Sequence, residues 1–191
     1  MTANEYLADF RENFWHDNRG LNWKLERRQE FVESSNESWE ASRRNDWKRS
    51  IDLLEKGRST VADYERRISE RGMEVRRVRV VEQPISSYLL WELTSLHIRQ
   101  EVGGKIRVVD RDAVQAYEAG GVAVPELFLL GVEIAYQVLY DEHGVLEGAV
   151  KCVDDDEIRF WGGFVADLYD RGEELRDFFD REVARRLPTA S

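Results

Sequence analysis

The chain has one cysteine, three prolines and three histidines in 191 residues, and each scarcity removes a class of protein. Cys152 alone cannot close an intramolecular disulfide or supply a cysteine-rich zinc site. That usage suits a reducing compartment. So few prolines imply few rigid loops. His16, His97 and His143 lie far apart, without the i, i+4 pairing of zinc hydrolases. His97 reads as the flank of a helix beside Leu93 and Leu96, and His143 as part of an exposed turn. Nothing approaches the roughly 18 apolar residues needed to cross a bilayer. Met1 to Phe14 is charged throughout, unlike a secretory signal. The reading is a cytoplasmic protein with no membrane role.

Familiar chemistries are missing as well. There is no Walker-type glycine-lysine loop and no G-x-G-x-x-G between strand and helix. Gly103-Gly104 and Gly120-Gly121 read as helix ends or loops. No serine sits in a nucleophile elbow, and Cys152 falls in a predicted strand beside valines, as a structural thiol would. The run Asp154-Asp155-Asp156-Glu157 reads as a helix start, which favours acids by capping and dipole. Among 38 Asp and Glu no pair stands out as a hydrolase dyad. No cofactor and no metal is expected.

What is present is globular. Hydrophobic residues make up 42% and charged residues 35%, with six Trp, seven Tyr and eight Phe, enough for one sizeable core. The net charge of −10, despite 28 Lys and Arg, argues against non-specific attraction to nucleic acid. No convincing basic recognition helix is seen, so direct DNA binding is disfavoured.

The first 72 residues read as a mainly helical section. Tyr6, Leu7, Phe10 and Phe14 fall at helical spacing. Leu21 to Phe31 fits a strand or a helix. A helix capped near Ser34 to Asn36 or at Ser38 carries Trp39, Trp47, Ile51 and Leu54, Gly57 is expected to stop it, and Thr60 to Arg71 resumes. Residues 73–187 read as a mixed α/β core, the two parts forming one cooperative domain. Val75 to Val81 alternates, with Val78 and Val80 on one face and Arg77 and Arg79 on the other. A helix from Ser86 or Ser87 to about Val102 leads to a second strand, Lys105 to Val109, which makes a βαβ unit and a parallel pair. After a variable stretch, strands are expected at Leu127 to Leu130, Val132 to Tyr140 and Val145 to Val153, the last two joined by the hairpin turn Asp141 to Gly144. A closing helix buries Ile158, Trp161, Phe164 or Val165, and Leu168. Leu175, Phe178, Phe179 and Val183 mark a last amphipathic segment, and Pro188 a loose end. The fold class is α/β or α+β, with a mixed sheet of about five strands flanked by helices.

One constellation is less bland. Arg77 and Arg79 share a strand face near the expected sheet centre, Tyr88 and Glu92 share the following helix face, and Trp23-Lys24-Leu25-Glu26-Arg27-Arg28 mixes an aromatic with charges. Two arginines facing one way can hold a carboxylate or phosphate. They can equally pair with Glu26 or Glu92 as a buried ionic network. The candidate ligand residues are Trp23, Glu26, Arg27, Arg77, Arg79, Tyr88 and Glu92.

Around these residues the sequence resembles a known family. Trp23 to Gln29, Ser38-Trp39-Glu40-Ala41, Trp47, Arg77 to Glu82, Pro84, Tyr88-Leu89, Trp91-Glu92-Leu93, Ile106 to Val109, Glu126-Leu127 and Val138 to Asp141 are similar to an actinobacterial family of unknown function, DUF6879. The resemblance spans about residues 20 to 185. It implies a neighbour among helix-turn-helix regulators, and no assigned activity. In architecture alone, the element order looks like half of a phospholipase D-like domain, but His97 is followed by Ile98 and Arg99, without that superfamily's lysine. The expectation is a non-catalytic regulatory or accessory protein, acting through a protein partner such as such a regulator, or through a small anionic ligand. Its rival is an enzyme in which Glu26 or Glu92 is the base and Arg77 and Arg79 hold a phosphate- or carboxylate-bearing substrate.

Overall fold

The computed structural model describes residues 1–16 and 18–187; the loose end expected at Pro188 lies outside them. A mixed sheet runs through the middle, with helices on both faces. The parallel part comprises β1 (Gly20–Glu26), β2 (Met73–Val81) and β3 (Lys105–Asp110). The antiparallel part is β4 (Glu126–Leu130), β5 (Ile134–Tyr140) and β6 (Leu146–Cys152), and the two-residue β7 (Glu173–Glu174) borders β3. The order is β6-β5-β4-β1-β2-β3-β7, seven strands rather than about five. The two additions are β1, whose periodicity allowed strand or helix, and β7, too short for any pattern. β1 lies in the middle of the sheet, between β4 and β2, so residues from the mainly helical first section complete the sheet.

Helices α1 (Ala3–Trp15), α2 (Glu37–Arg43), α3 (Trp47–Glu70) and α4 (Ser87–Glu101) lie on one face, with α7 (Leu175–Phe178) and the π-helical turn Phe179–Val183. On the other face α5 (Asp112–Glu118) and α6 (Asp155–Arg171) cover the largest apolar cluster, which includes Leu25, Val78, Val80, Leu129, Val165 and Leu168. Val165, not Phe164, is the fully buried member of that pair. α5 lies in the stretch that reads as variable, because its seven residues bury only Val114.

The expected helix break at Gly57 is absent: α3 continues through it for 24 residues. The break falls ten residues or so earlier, where Asn45 takes a left-handed φ of 61° and the Asp46 side chain accepts the Arg49 N–H at 3.0 Å. Asparagine tolerates that conformation and aspartate caps the next helix, so this pair outcompetes glycine, which merely weakens a helix. A Cβ at Gly57 would meet nothing within 4 Å. Gly57→Ala is therefore expected to stabilise the protein by about 1 kcal/mol, raising Tm by roughly 2–4 °C. A thermal melt with Tm unchanged or lowered would show that α3 needs the glycine.

Candidate functional site

The period of two in a strand places Lys24 and Glu26 of β1, and Arg77 and Arg79 of β2, on the face beneath α4. α4 is capped by Ser86, whose side chain accepts the Leu89 N–H, and its rotation aims Glu92 down at the sheet. The charges meet there. Arg79 is fully buried; its Nε donates to Glu92 Oε2 at 2.9 Å and its Nη1 to the carbonyls of Val80 (3.0 Å) and Glu26 (3.3 Å). Its Nη2 lies 2.8 Å from the same Glu92 oxygen, off the line that a hydrogen bond needs. Arg77 Nη1 donates to Glu26 Oε2 at 2.8 Å, and Lys24 Nζ lies 2.6 Å from Glu26 Oε1.

Burial works against the charge of Glu26, yet Arg77, Lys24 and Arg79 outweigh it and hold the carboxyl well below the usual range. Burial pushes the Glu92 carboxyl up, against the pull of Arg79. Glu126, at the start of β4, is pushed up to about 7 by burial and by Glu26, although it accepts the backbone N–H groups of Arg27 (2.9 Å) and Arg28 (2.5 Å).

The expected site residues therefore divide. Glu26, Arg77, Arg79 and Glu92 come together. Trp23 does not: it lies on the opposite face, edge-on to Tyr169 at 5.6 Å and under Arg76 at 5.4 Å. Arg27 also points to that other side, where it pairs with Glu118 and Glu82, each at 2.7 Å. Trp23 and Arg27 are odd steps from Glu26, so a strand cannot bring them to its face. Tyr88 packs among Phe31, Trp39 and Trp91 and donates its hydroxyl to Glu33 at 3.0 Å, away from the arginines. Lys24 and Glu126 complete the cluster without having been expected. Alternation along β1 could have found Lys24; Glu126 arrives from a distant strand and left no local signal.

In open α/β sheets ligands bind at the C-terminal ends of parallel strands, where the strand order reverses. Here that point lies between β1 and β4, and the chain fills it itself. Gln29 Nε2 donates to Arg27 O (2.6 Å) and Val80 O (3.0 Å), while its Oε1 accepts Glu82 N–H at 2.8 Å. Arg28 donates to the carbonyls of Glu30 and Glu142, both at 2.8 Å. Beside Arg77 a cavity of about 40 Å³ remains, shared with Arg99, Tyr64 and Glu65. That suits water, far below the roughly 300 Å³ of small-molecule sites. Larger open depressions lie elsewhere, about 770 Å³ beside Asp9, His16 and Glu133 and about 480 Å³ between the 33–38 loop, α3 and α4.

The other residues that the sequence singles out lie apart from this cluster. Cys152 is half-buried; burial pushes its thiol up, and Sγ donates to Glu157 at 3.2 Å. His97 stacks on Phe179 with ring centres 4.1 Å apart, and burial lowers its pKa. The apolar stripes at both ends of the chain are engaged, Tyr6 and Phe14 in one cluster and Leu175, Phe178, Phe179 and Val183 in another. No helix among the described residues is long and apolar enough to cross a membrane.

Fold and site together define a three-layered α/β protein whose central charges are neutralised internally. The family model described as Domain of unknown function (DUF6879) matches residues 8–180, nearly the whole chain, and the protein belongs to that family. No curated protein matches it, and no solved structure does.

Removing one partner of a buried ion pair strands the other, at a cost of about 3–5 kcal/mol. Arg79→Ala is expected to destabilise by that order in denaturant unfolding, and the double variant Arg79→Met/Glu92→Leu by less than Arg79→Ala alone. Additive effects would mean that the two charges do not depend on each other. Glu126 gives a pH signature. Its raised pKa lets the folded chain keep a proton that the unfolded chain has released, so its contribution is full below the ordinary value of 4.5 and is lost as pH rises towards about 7. The stability of the wild type relative to Glu126→Gln is expected to fall across that window and level off above it. A flat difference would place Glu126 in an ordinary aqueous environment.

Proposed function

We propose that this protein is a non-catalytic regulatory or accessory protein that acts by binding another protein in the reducing cytoplasm. The observation that carries the reading is the closure of the charge cluster. Arg79 is fully buried and engaged by Glu92 and two carbonyls, and Arg77 is engaged by Glu26. An anion entering between them would displace carboxylates already in place and would need α4 to lift. In the enzyme reading Glu26 or Glu92 is the base, but Glu26 is held as a carboxylate by three cations and is a poor proton acceptor. Meanwhile the surface keeps an aromatic ring in water, Phe160 at 55% exposure, which is the kind of feature that partners cover. A helix-turn-helix regulator, as the family resemblance implies, is one candidate partner.

Two measurements separate partner binding from ligand binding. In thermal-shift assays, millimolar phosphate or citrate is expected to move Tm no further than sodium chloride of matched ionic strength. Crosslinking in the producing cells is expected to yield a stoichiometric complex with another protein. A specific rise in Tm with either anion, together with no complex, would reject the proposal in favour of a ligand pocket.

A further inference from the structure

We infer that the outer face of α6, centred on Phe160 and Gly163, is the seat for a basic amphipathic helix of the partner; this rests on the partner-binding reading above and gives it a place and a chemistry.

α6 meets its obligations to the core without this face. Ile158, Val165, Leu168 and Tyr169 are its buried residues. Phe160 faces water beside Trp161 at 5.1 Å and Phe164 at 6.5 Å, and Tyr117 of α5 joins these two at 5.5 Å each. The group is rooted in the core by its half-buried members, while Phe160 is its exposed end. Rooted aromatics of this kind lose little freedom when a partner arrives, so they suit an anchor.

Gly163 supplies the second observation. It lies three residues beyond Phe160, hence on the same side of the helix. It is exposed, and a Cβ there would meet nothing within 4 Å. Glycine in an exposed helix interior weakens the helix relative to alanine, and no side chain or backbone of this protein approaches close enough to require it here. What a missing side chain permits is close approach of another backbone. A bare position one turn from an exposed ring is a notch beside a ridge, the relief into which another helix packs.

Charge chooses the occupant. α6 carries five carboxylates against two arginines, and both arginines are engaged within the helix, Arg159 with Asp156 at 2.6 Å and Arg171 with Asp167 at 2.5 Å. Asp155 and Asp170 stand near its two ends. The helix therefore carries a net charge of −3, and the aromatic patch lies between Asp155 and Asp170, about 22 Å apart at 1.5 Å per residue. A second copy of this chain would set acidic α6 against acidic α6, and the net charge of −10 adds to that repulsion. Anionic lipid and nucleic acid meet the same repulsion. A helix of about four turns, apolar on one side and flanked by Lys or Arg, satisfies both the patch and its border.

The test uses the full chain and two synthetic 18-residue helical peptides, one of leucine and lysine, the other of leucine and glutamate. Heteronuclear chemical shifts, with the Trp161 indole N–H as the local reporter, read binding. The lysine peptide is expected to bind, more weakly as salt rises, and at least tenfold more weakly to Phe160→Ala and Gly163→Gln. Gly163→Gln is expected to melt higher than wild type while binding worse, which separates a blocked seat from a damaged fold. Equal binding by the variants, equal binding of the glutamate peptide, or a homodimer that Phe160→Ala dissolves would overturn the inference. Crosslinking in cells distinguishes the failures. A complex that Phe160→Ala leaves intact removes this seat but keeps partner binding, whereas no complex with either chain removes both.

Discussion

The structure depends on a fully buried arginine. Taking Arg79 out of water costs several kcal/mol unless its charge is met, and what meets it constrains the whole molecule. Glu92 must point down from α4, which fixes that helix's rotation. β1 must lie beside β2, so that Glu26 offers its carbonyl to Arg79 and its carboxylate to Arg77. Along this face the apolar core is accordingly divided, one cluster under α4 and the C-terminal turns and another under α1 and α3. The ionic network sits in the sheet centre between them. Removing a single charge there leaves the others buried without their partner.

The segment Trp23 to Gln29 shows how fully that arrangement uses the chain. Leu25 enters the core of one face while Lys24 and Glu26 enter the ionic layer of the other. Arg27 ties β1 to Glu82 and Glu118, Arg28 reaches the hairpin turn at Glu142, and Gln29 stitches the strand end to β2. Charged residues thus close the crevice where an α/β sheet ordinarily opens to a ligand. Charge is neutralised inside the sheet, while an aromatic ring remains outside on an acidic helix.

Much of the fold was legible because its signals are local. The valine and arginine alternation of β2, the glycine-bounded βαβ unit and the Asp141 to Gly144 turn each depend on neighbours in sequence, and each stands where the pattern put it, while the structure chose Ser86 over Ser87 as the cap of α4. Gly57 was misleading for the opposite reason. Its propensity cost is real but small, and packing along a 24-residue helix outweighs it. For β1, periodicity alone could not choose between strand and helix, so the placement of Trp23 and Arg27 in the arginine pocket had no strand geometry to test it.

Sequence by itself determined a mixed sheet flanked by helices, the βαβ unit, the hairpin, and that Arg77 and Arg79 share a face, since these follow from backbone sterics and periodicity within a few residues. It also placed the chain among its DUF6879 relatives. Only the tertiary structure decided whether those arginines were free or satisfied, because their partners Glu26 and Glu92 come from separate elements and the outcome rests on distances of 2.8 to 2.9 Å. It alone decided, too, that Phe160 faces water rather than the core. A helix pattern says which residues share a side; what covers that side depends on where the rest of the chain has gone.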